Sequence, residues 1–268
     1  MNTLKSIQTL DLVYKTGQRP ILIMCDDFDD YICKYPTFSE GITGLICEYI
    51  GHILLKEWDL LIIDSAFIIL DQKHIPSSAK INITDFNRTC FGSKFNRNYQ
   101  DLIDRLCINM SYTEKRKHAY RYDYLKIALF DIWVANEDRS FNNPNILLDV
   151  GNGYRPIPID HGAIFNFHSF NQPIHELTYN ETIISSNIVR SLFGARDFND
   201  YLIDDLRNYF YLCTKNCREN KNEILNNLPP DWSNLKGDIS DKLDEIFKDD
   251  WIKSSFSLFL SILNDNLR

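Results

Sequence analysis

The stretch Phe130–Phe165, FDIWVANEDRSFNNPNILLDVGNGYRPIPIDHGAIF, decides how the chain reads. It opens on the end of an apolar pattern at helical spacing that runs from Tyr112 to Ala135. A polar loop with Asn136, Asp138 and Asn143 follows. Two short strand-like pieces, Asn145–Leu148 and Tyr154–Ile159, then flank the turn Val150-Gly151-Asn152-Gly153, which predicts a hairpin. Its second strand delivers Asp160 into a turn made by His161 and Gly162. The loop before the hairpin and the turn after it therefore meet at one end, bringing together two carboxylates and a carboxamide with no soft ligand among them. Hard oxygen donors of this kind suit Mg²⁺, which is usually held by one or two carboxylates plus substrate phosphates.

Toward the N-terminus, three apolar runs, Leu10–Tyr14, Pro20–Cys25 and Tyr31–Cys33, are separated by the turn-rich pieces KTGQR and DDFDD, the pattern of a β-meander. From Ser39 the period becomes helical, with Ile42, Leu45, Ile46, Tyr49, Ile50 and Ile53 on one face and Ser39 and Glu40 suited to a capped first turn. Strand character returns at Leu61–Leu70 and at Thr89–Gly92. Beyond Tyr99, helices are predicted over Tyr99–Ile108, Tyr112–Ala135, Glu176–Phe193, Phe198–Cys217 and Ser240–Asn266. No repeat or low-complexity linker interrupts the chain, so a β-rich part, residues 1–94, is expected to pack directly on a helical part, residues 95–268.

Composition narrows the classes. The 268 residues are 44% apolar and 25% charged, the profile of an ordinary globular α+β protein. A net charge of -8 offers no general attraction to a phosphate backbone or an anionic membrane, so neither direct nucleic-acid binding nor membrane binding is expected. No apolar run reaches the roughly 18 residues of a membrane span, because Asp64 interrupts the best candidate at Leu60–Leu70. The start, MNTLKSIQTL, lacks the apolar region of a signal peptide, and a soluble, cytoplasmic protein is the expectation. Seven cysteines without a C-x-x-C pair argue for reduced, mostly buried thiols over a disulfide framework or zinc knuckle. No G-x-S-x-G, Walker A or G-x-G-x-x-G occurs, which removes that type of serine hydrolase, P-loop NTPases and ordinary dinucleotide enzymes.

An Asp, an Asn five residues later and an Asp-x-Gly turn after a hairpin follow the catalytic-loop and metal-loop order of protein-kinase-like folds. The segment resembles the HipA-like kinases, whose catalytic loop resembles N-x-D-R-x-x-x-x-N and whose metal Asp sits in a D-x-G turn. The resemblance extends from about Leu10 to Phe165, with a weaker echo at Leu228-Pro-Pro-Asp-Trp232. It implies a two-lobed α+β kinase-like fold with a small β-rich N-lobe, 1–94, and a larger helical C-lobe, 95–268. It also implies ATP- and Mg²⁺-dependent phosphorylation of a hydroxyl group, with a protein Ser/Thr as acceptor. On this resemblance Asp138 orients and deprotonates the acceptor, and Asn143 and Asp160 hold the metal. Lys34, closing the strand YICKY, lies on the phosphates with the helix residue Glu48 holding it. Thr16, Gly17 and Gln18, a poor glycine-rich loop, cover the nucleotide. Gly44 and Gly51 flank Glu48 and are expected to let that side of the helix approach a strand closely. The resemblance is to a short, stand-alone kinase domain. The additional N-terminal subdomain of full-length HipA toxins has no room here, so the toxin role is not carried over, and an antitoxin-like regulator is no more than an open partner class. Ser140 also stands where related loops often carry His.

Other readings compete. Asn and Asp in loops often only cap helices and make turns. Arg139 reads as the structural ion-pair partner of a nearby carboxylate. Oxygens at Asn136, Asp138, Ser140 and Asn142 match the start of a calcium loop, but Phe141 and Leu147 occupy its required glycine and glutamate. The cluster Lys115, Arg116, Lys117, His118 and Arg121 reads as a solvated face before it reads as a dock for an acidic substrate. Two alternatives to a kinase stay open: a catalytically silent kinase-shaped binding module, and a metal-dependent phosphohydrolase using Asp160 with His161, His168 and His175, which read better as turn and surface histidines.

Overall fold

The computed structural model describes residues 1–14, 19–36, 41–76 and 88–267. Among these, five strands close into a barrel in the order β1 (Thr3–Val13), β2 (Ile21–Cys25), β3 (Asp30–Lys34), β5 (Cys90–Lys94) and β4 (Ser65–Ile69). The first three form the predicted antiparallel meander. Closure comes from the early half of β1, where Thr3 pairs in parallel with Phe67 of β4. The sequence reading starts this strand only at Leu10, because TLKSIQT has no continuous apolar run. Along β3 the two-residue period turns Tyr31 and Cys33 into the barrel core with Ile21, Ile23, Cys25 and Ile68, leaving Ile32 and Lys34 on the other face. Gly92 of β5 lies opposite Cys33, and a Cβ there would sit 2.1 Å from Ile68 Cδ1, so glycine is what lets the barrel close.

Helix α1 (Thr43–Lys56) packs on the barrel through Tyr49 against Phe67, ring centroids 5.2 Å apart, and His52 against Phe91. Every residue from Gly44 to His52 is buried, a wider apolar surface than the predicted stripe, because the helix is enclosed on several sides. Its cap position is Ile42, which has no side-chain cap bond. Ser39 and Glu40, the predicted cap, lie outside the described residues.

A second sheet holds β6 (Tyr99–Asp101), β7 (Ile146–Asp149) and β8 (Arg155–Pro158) in that order. The helix predicted over Tyr99–Ile108 is thus replaced by a strand and a 3₁₀ turn at Asp104–Cys107. Tertiary partners override the local pattern. Leu102 N–H donates to Ile146 O, and the Asp104 carboxylate accepts from the N–H groups of Asn187 and Ile188. The pattern over Tyr112–Ala135 splits into α2 (Tyr112–Lys115) and α3 (Asp123–Trp133), with Ala119 N–H donating to Gly153 O of the β7–β8 turn between them. Of Glu176–Phe193 only Asn187–Leu192 is α-helical, preceded by two 3₁₀ turns. The remaining long helices are Asp200–Glu219, Lys236–Ile246 and Asp249–Leu267.

The larger core gathers Trp58, Phe130, Trp133 and Phe210, with Trp58 stacked on Trp133 at 5.8 Å. Trp133 Nε1 donates to Ile246 O, so the helix that feeds the Asn136–Asn143 loop is tied to the C-terminal helices. The Leu228–Trp232 echo joins this half to the barrel. Asp231 accepts from Thr89 N and Oγ1, each at 2.7 Å, and Trp232 packs on Tyr49 and Phe67. All seven cysteines are free and buried. Among the described residues no helix is long and apolar enough to cross a membrane.

Candidate active site

Helix α3 ends in a left-handed residue, Ala135 with φ 50°, and Asn136 N–H reaches back to Asp131 O at 2.9 Å to close the last turn. The Asp131 side chain is fully buried and accepts from Asn136 Nδ2 and Arg139 Nε, both at 2.8 Å. Burial pushes its carboxyl up to about 6 even with Arg139 and Asn136 drawing it down. Arg139, also fully buried, spends its other donors on Pro144 O, Asn145 O and His161 Nε2. A guanidinium has no acceptor, so His161 Nε2 must accept, which makes the ring the neutral Nδ1–H tautomer. Burial, then the charge of Arg139, holds His161 well below the usual histidine range, in keeping with that tautomer. Arg139 is therefore the structural ion-pair partner the sequence predicts, and it joins three segments.

Asp138 stands between these anchors. Its Oδ1 accepts from Asn143 Nδ2 at 2.9 Å and its Oδ2 from Asn145 Nδ2 at 3.0 Å. The hairpin then does what its sequence predicts. Ile146 pairs with Pro158, Ile159 N–H donates to Asn145 O, and Asp160 follows in a left-handed conformation, φ 60°.

Lys34 and Glu48 meet Asp160 there. Lys34 Nζ pairs with Glu48 Oε1 and, at 2.9 Å, with Asp160 Oδ1. Glu48 also accepts from the backbone N–H groups of His161 and Gly162, each at 3.1 Å. Burial alone would push the Lys34 ammonium down, but Asp160 and Glu48 hold it well above its ordinary value. Burial likewise raises Asp160, yet Lys34 outweighs it and brings the carboxyl down to about 2. Glu48 is raised by its burial, with Lys34 pulling it partway back. Gly51 has a different neighbour from the predicted strand: a Cβ there would lie 2.6 Å from His161 Cβ, so glycine lets α1 rest on the Asp160-His161-Gly162 turn.

Lys34, Asp138, Asn143 and Asp160 line one cleft of about 600 Å³, with Glu48 bonded behind Lys34. Ile32, Ile63, Leu147 and Ile159 form its apolar walls, and Lys34 shares its β3 face with Ile32. Thr16, Gly17 and Gln18 lie outside the described residues. Sequence reasoning missed Asn145, two positions beyond Asn143 and bound to the same carboxylate. It also missed the cleft residues Tyr14, Ser93 and Asp101, which no local pattern marks.

The segment after the turn has no sequence signature either. Phe165, Asn166, Phe167 and His168 are all left-handed, with φ 59°, 51°, 56° and 51°. Four such non-glycine residues cost roughly 1–2 kcal/mol each, so the surroundings must enforce them. Phe165 and Asn166 N–H groups donate to Val134 O and Ala135 O. The buried Asn166 amide donates to Glu137 Oε1 at 2.6 Å and accepts from His175 N–H at 3.0 Å.

The three histidines do not gather around Asp160. The His161 ring, in the predicted turn, is buried against Arg139, while His168 lines the cleft and His175 Nε2 lies 3.1 Å from Glu137. Among the described residues no group of three or more His, Cys, Asp or Glu is arranged to hold a metal ion. The basic cluster sits on the turn end of the hairpin, away from Asn145 and Asp160. Lys117 lies over the Tyr154 ring, Arg121 pairs with Asp197 at 3.0 Å, and His118 is buried.

The model of the HipA-like kinase family matches residues 10–255. Among solved structures, the chain is similar to the crystal structure of a Helicobacter pylori proinflammatory kinase, CtkA. The TM-score is 0.59 and the identity 14%, over 97% of this chain and 99% of that one, a likeness that speaks to the fold alone. No curated protein matches the sequence. Because the family match spans every element that builds the cleft, from the end of β1 to the C-terminal helix, the chain belongs to the HipA-like kinase family.

Proposed function

We propose that the protein is an ATP- and Mg²⁺-dependent phosphotransferase acting on a Ser or Thr hydroxyl of a protein, with residues 1–94 and 95–268 as its two lobes. The observation that carries this reading is the convergence of Lys34, Asp138, Asn143 and Asp160 on one cleft. Phosphoryl transfer asks a protein chiefly for positioning and charge neutralisation. Lys34, oriented by Glu48, supplies a fixed positive charge for the phosphates, and the apolar walls suit an adenine ring. Asp138, held by two amides, aligns the acceptor hydroxyl and takes its proton as the new O–P bond forms and the bond to the leaving diphosphate breaks. Asp160 and Asn143 offer hard oxygen donors at the same wall and would hold Mg²⁺. When bound, that ion neutralises charge on the phosphate oxygens.

Incubation with γ-labelled ATP, alone and with lysate, tests the reading. Label is expected on protein Ser or Thr, dependent on Mg²⁺ and lost in Asp160→Ala. Calorimetry with and without metal should show Mg²⁺-dependent nucleotide binding that the same variant loses. ATP bound without label on any protein would favour a silent binding module, and phosphate released without an acceptor a hydrolase.

A further inference from the structure

The cleft does not end at Asp138. His168 is shared between it and a second concavity of about 300 Å³, whose wall includes Thr43, Ser169, Asn171, Gln172 and Asp238. Phe167 precedes His168 at the junction, lines the first cleft and is 51% exposed. An exposed aromatic ring on a left-handed residue is disfavoured by both hydration and backbone geometry. Here it is enforced, since Asn166 ties the turn to Glu137, the residue next to Asp138. The backbone at Phe167 is thereby held at a set position relative to the carboxylate that faces the acceptor. The first cleft alone has the volume of a small-ligand site. The second concavity adjoins it at His168, so a chain that crosses His168 reaches both.

We propose that the trough from Phe167 across His168 into the second concavity binds an extended peptide. An apolar side chain next to the acceptor hydroxyl packs on Phe167, and the following residues fill the second concavity. Asp238 on its wall favours a cationic over an anionic flank. This names the residues preferred around the acceptor hydroxyl and rests on the phosphotransferase reading above.

The test uses the full chain, γ-labelled ATP and a degenerate library of Ser-centred peptides. Wild type should favour an apolar residue beside the serine by about fivefold or more, the scale of one apolar contact in a pocket. Phe167→Leu should keep this selection and Phe167→Ala should lose most of it. Asn171→Trp, at an exposed position on the wall of the second concavity, should raise the peptide KM by roughly tenfold, again on the scale of pocket contacts. Calorimetry of MgATP binding reads the nucleotide site separately. Wild type that binds MgATP but labels the library without apolar selection overturns the trough alone, as does Phe167→Ala with selection intact. Wild type that binds no MgATP overturns the phosphotransferase reading and the trough together.

Discussion

The two ends of the cleft are built by opposite means. At the Lys34 end the partners are ions drawn from distant parts of the chain, 14 positions away for Glu48 and 126 for Asp160. At the Asp138 end they are neutral amides only 5 and 7 positions away, Asn143 and Asn145. At the ionic end Lys34 and Glu48 are enclosed, their side chains only 13% and 4% exposed, and Asp160 opens to the cleft, whereas Asn143 bonds Asp138 at an exposed site. The ionic end therefore exists only while the barrel, α1 and the hairpin stay docked. The amide end is assembled within one loop. Arg139 and His161 bridge them, since the His161 backbone N–H binds Glu48 and its ring binds Arg139.

If the ends are separable, Asp138→Ala should lower kcat by about 10²–10⁴ through loss of general-base and orienting action and leave the nucleotide Kd nearly where it was. A comparable rise in Kd would show the ends to be one unit. Arg139→Ala strikes the bridge. It leaves the buried Asp131 unpaired, and urea unfolding should record a loss of roughly 3–5 kcal/mol. A loss under about 1 kcal/mol would be in the range of an exposed pair and would mean the bridge is dispensable.

Acid should weaken the fold through its buried histidines, one of which, His161, belongs to the bridge. His52, His118 and His161 are buried and neutral, with the first two brought down to about 3 and about 4 by burial and nearby lysines. Below about pH 6.5 the unfolded chain takes up protons that the folded one refuses, so stability falls as pH falls. Asp131 has the opposite sign. Its folded value near 6 lies above its unfolded one, so its contribution grows as pH drops toward 4 and offsets one histidine. Glu48, also raised by burial, has the same sign as Asp131, so one to two protons stay uncompensated and about 1–3 kcal/mol is lost per pH unit between pH 6 and 4. Thermal melts across that range check it, and a flat profile would show that these histidines take up protons in the folded chain. The smallest effect belongs to Asn145→Ala. It frees one Asp138 oxygen to water, costing about 1 kcal/mol, or roughly fivefold in kcat.

The amide end was legible in the sequence because its spacing is its geometry. A loop, a two-stranded hairpin and a turn place Asp138, Asn143 and Asp160 together whatever else the chain does. Lys34 was legible as the polar end of an alternating strand. Asn145 was harder, since an asparagine after Asn-Pro also suits a turn. The helix predicted over Tyr99–Ile108 failed because Leu102 is drawn to β7 by its backbone bond to Ile146 and Asp104 caps a distant helix, while Leu106 is left exposed. The left-handed turn at Phe165–His168 had no glycine or asparagine run to announce it, and backbone bonds to Val134 and Ala135 impose it.

By itself, then, the order of residues determined the meander, the loop and hairpin that carry the carboxylates, and the candidate side chains for the site. These rest on bonds between near neighbours in the chain. Tertiary structure alone decided that β1 closes a barrel, that Gly51 seats α1 on the Asp160 turn, and that Arg139 and His161 join the two ends of the cleft. Those contacts form between segments whose local patterns carry no trace of each other, and they hold only after the surrounding core has excluded water and fixed the distances.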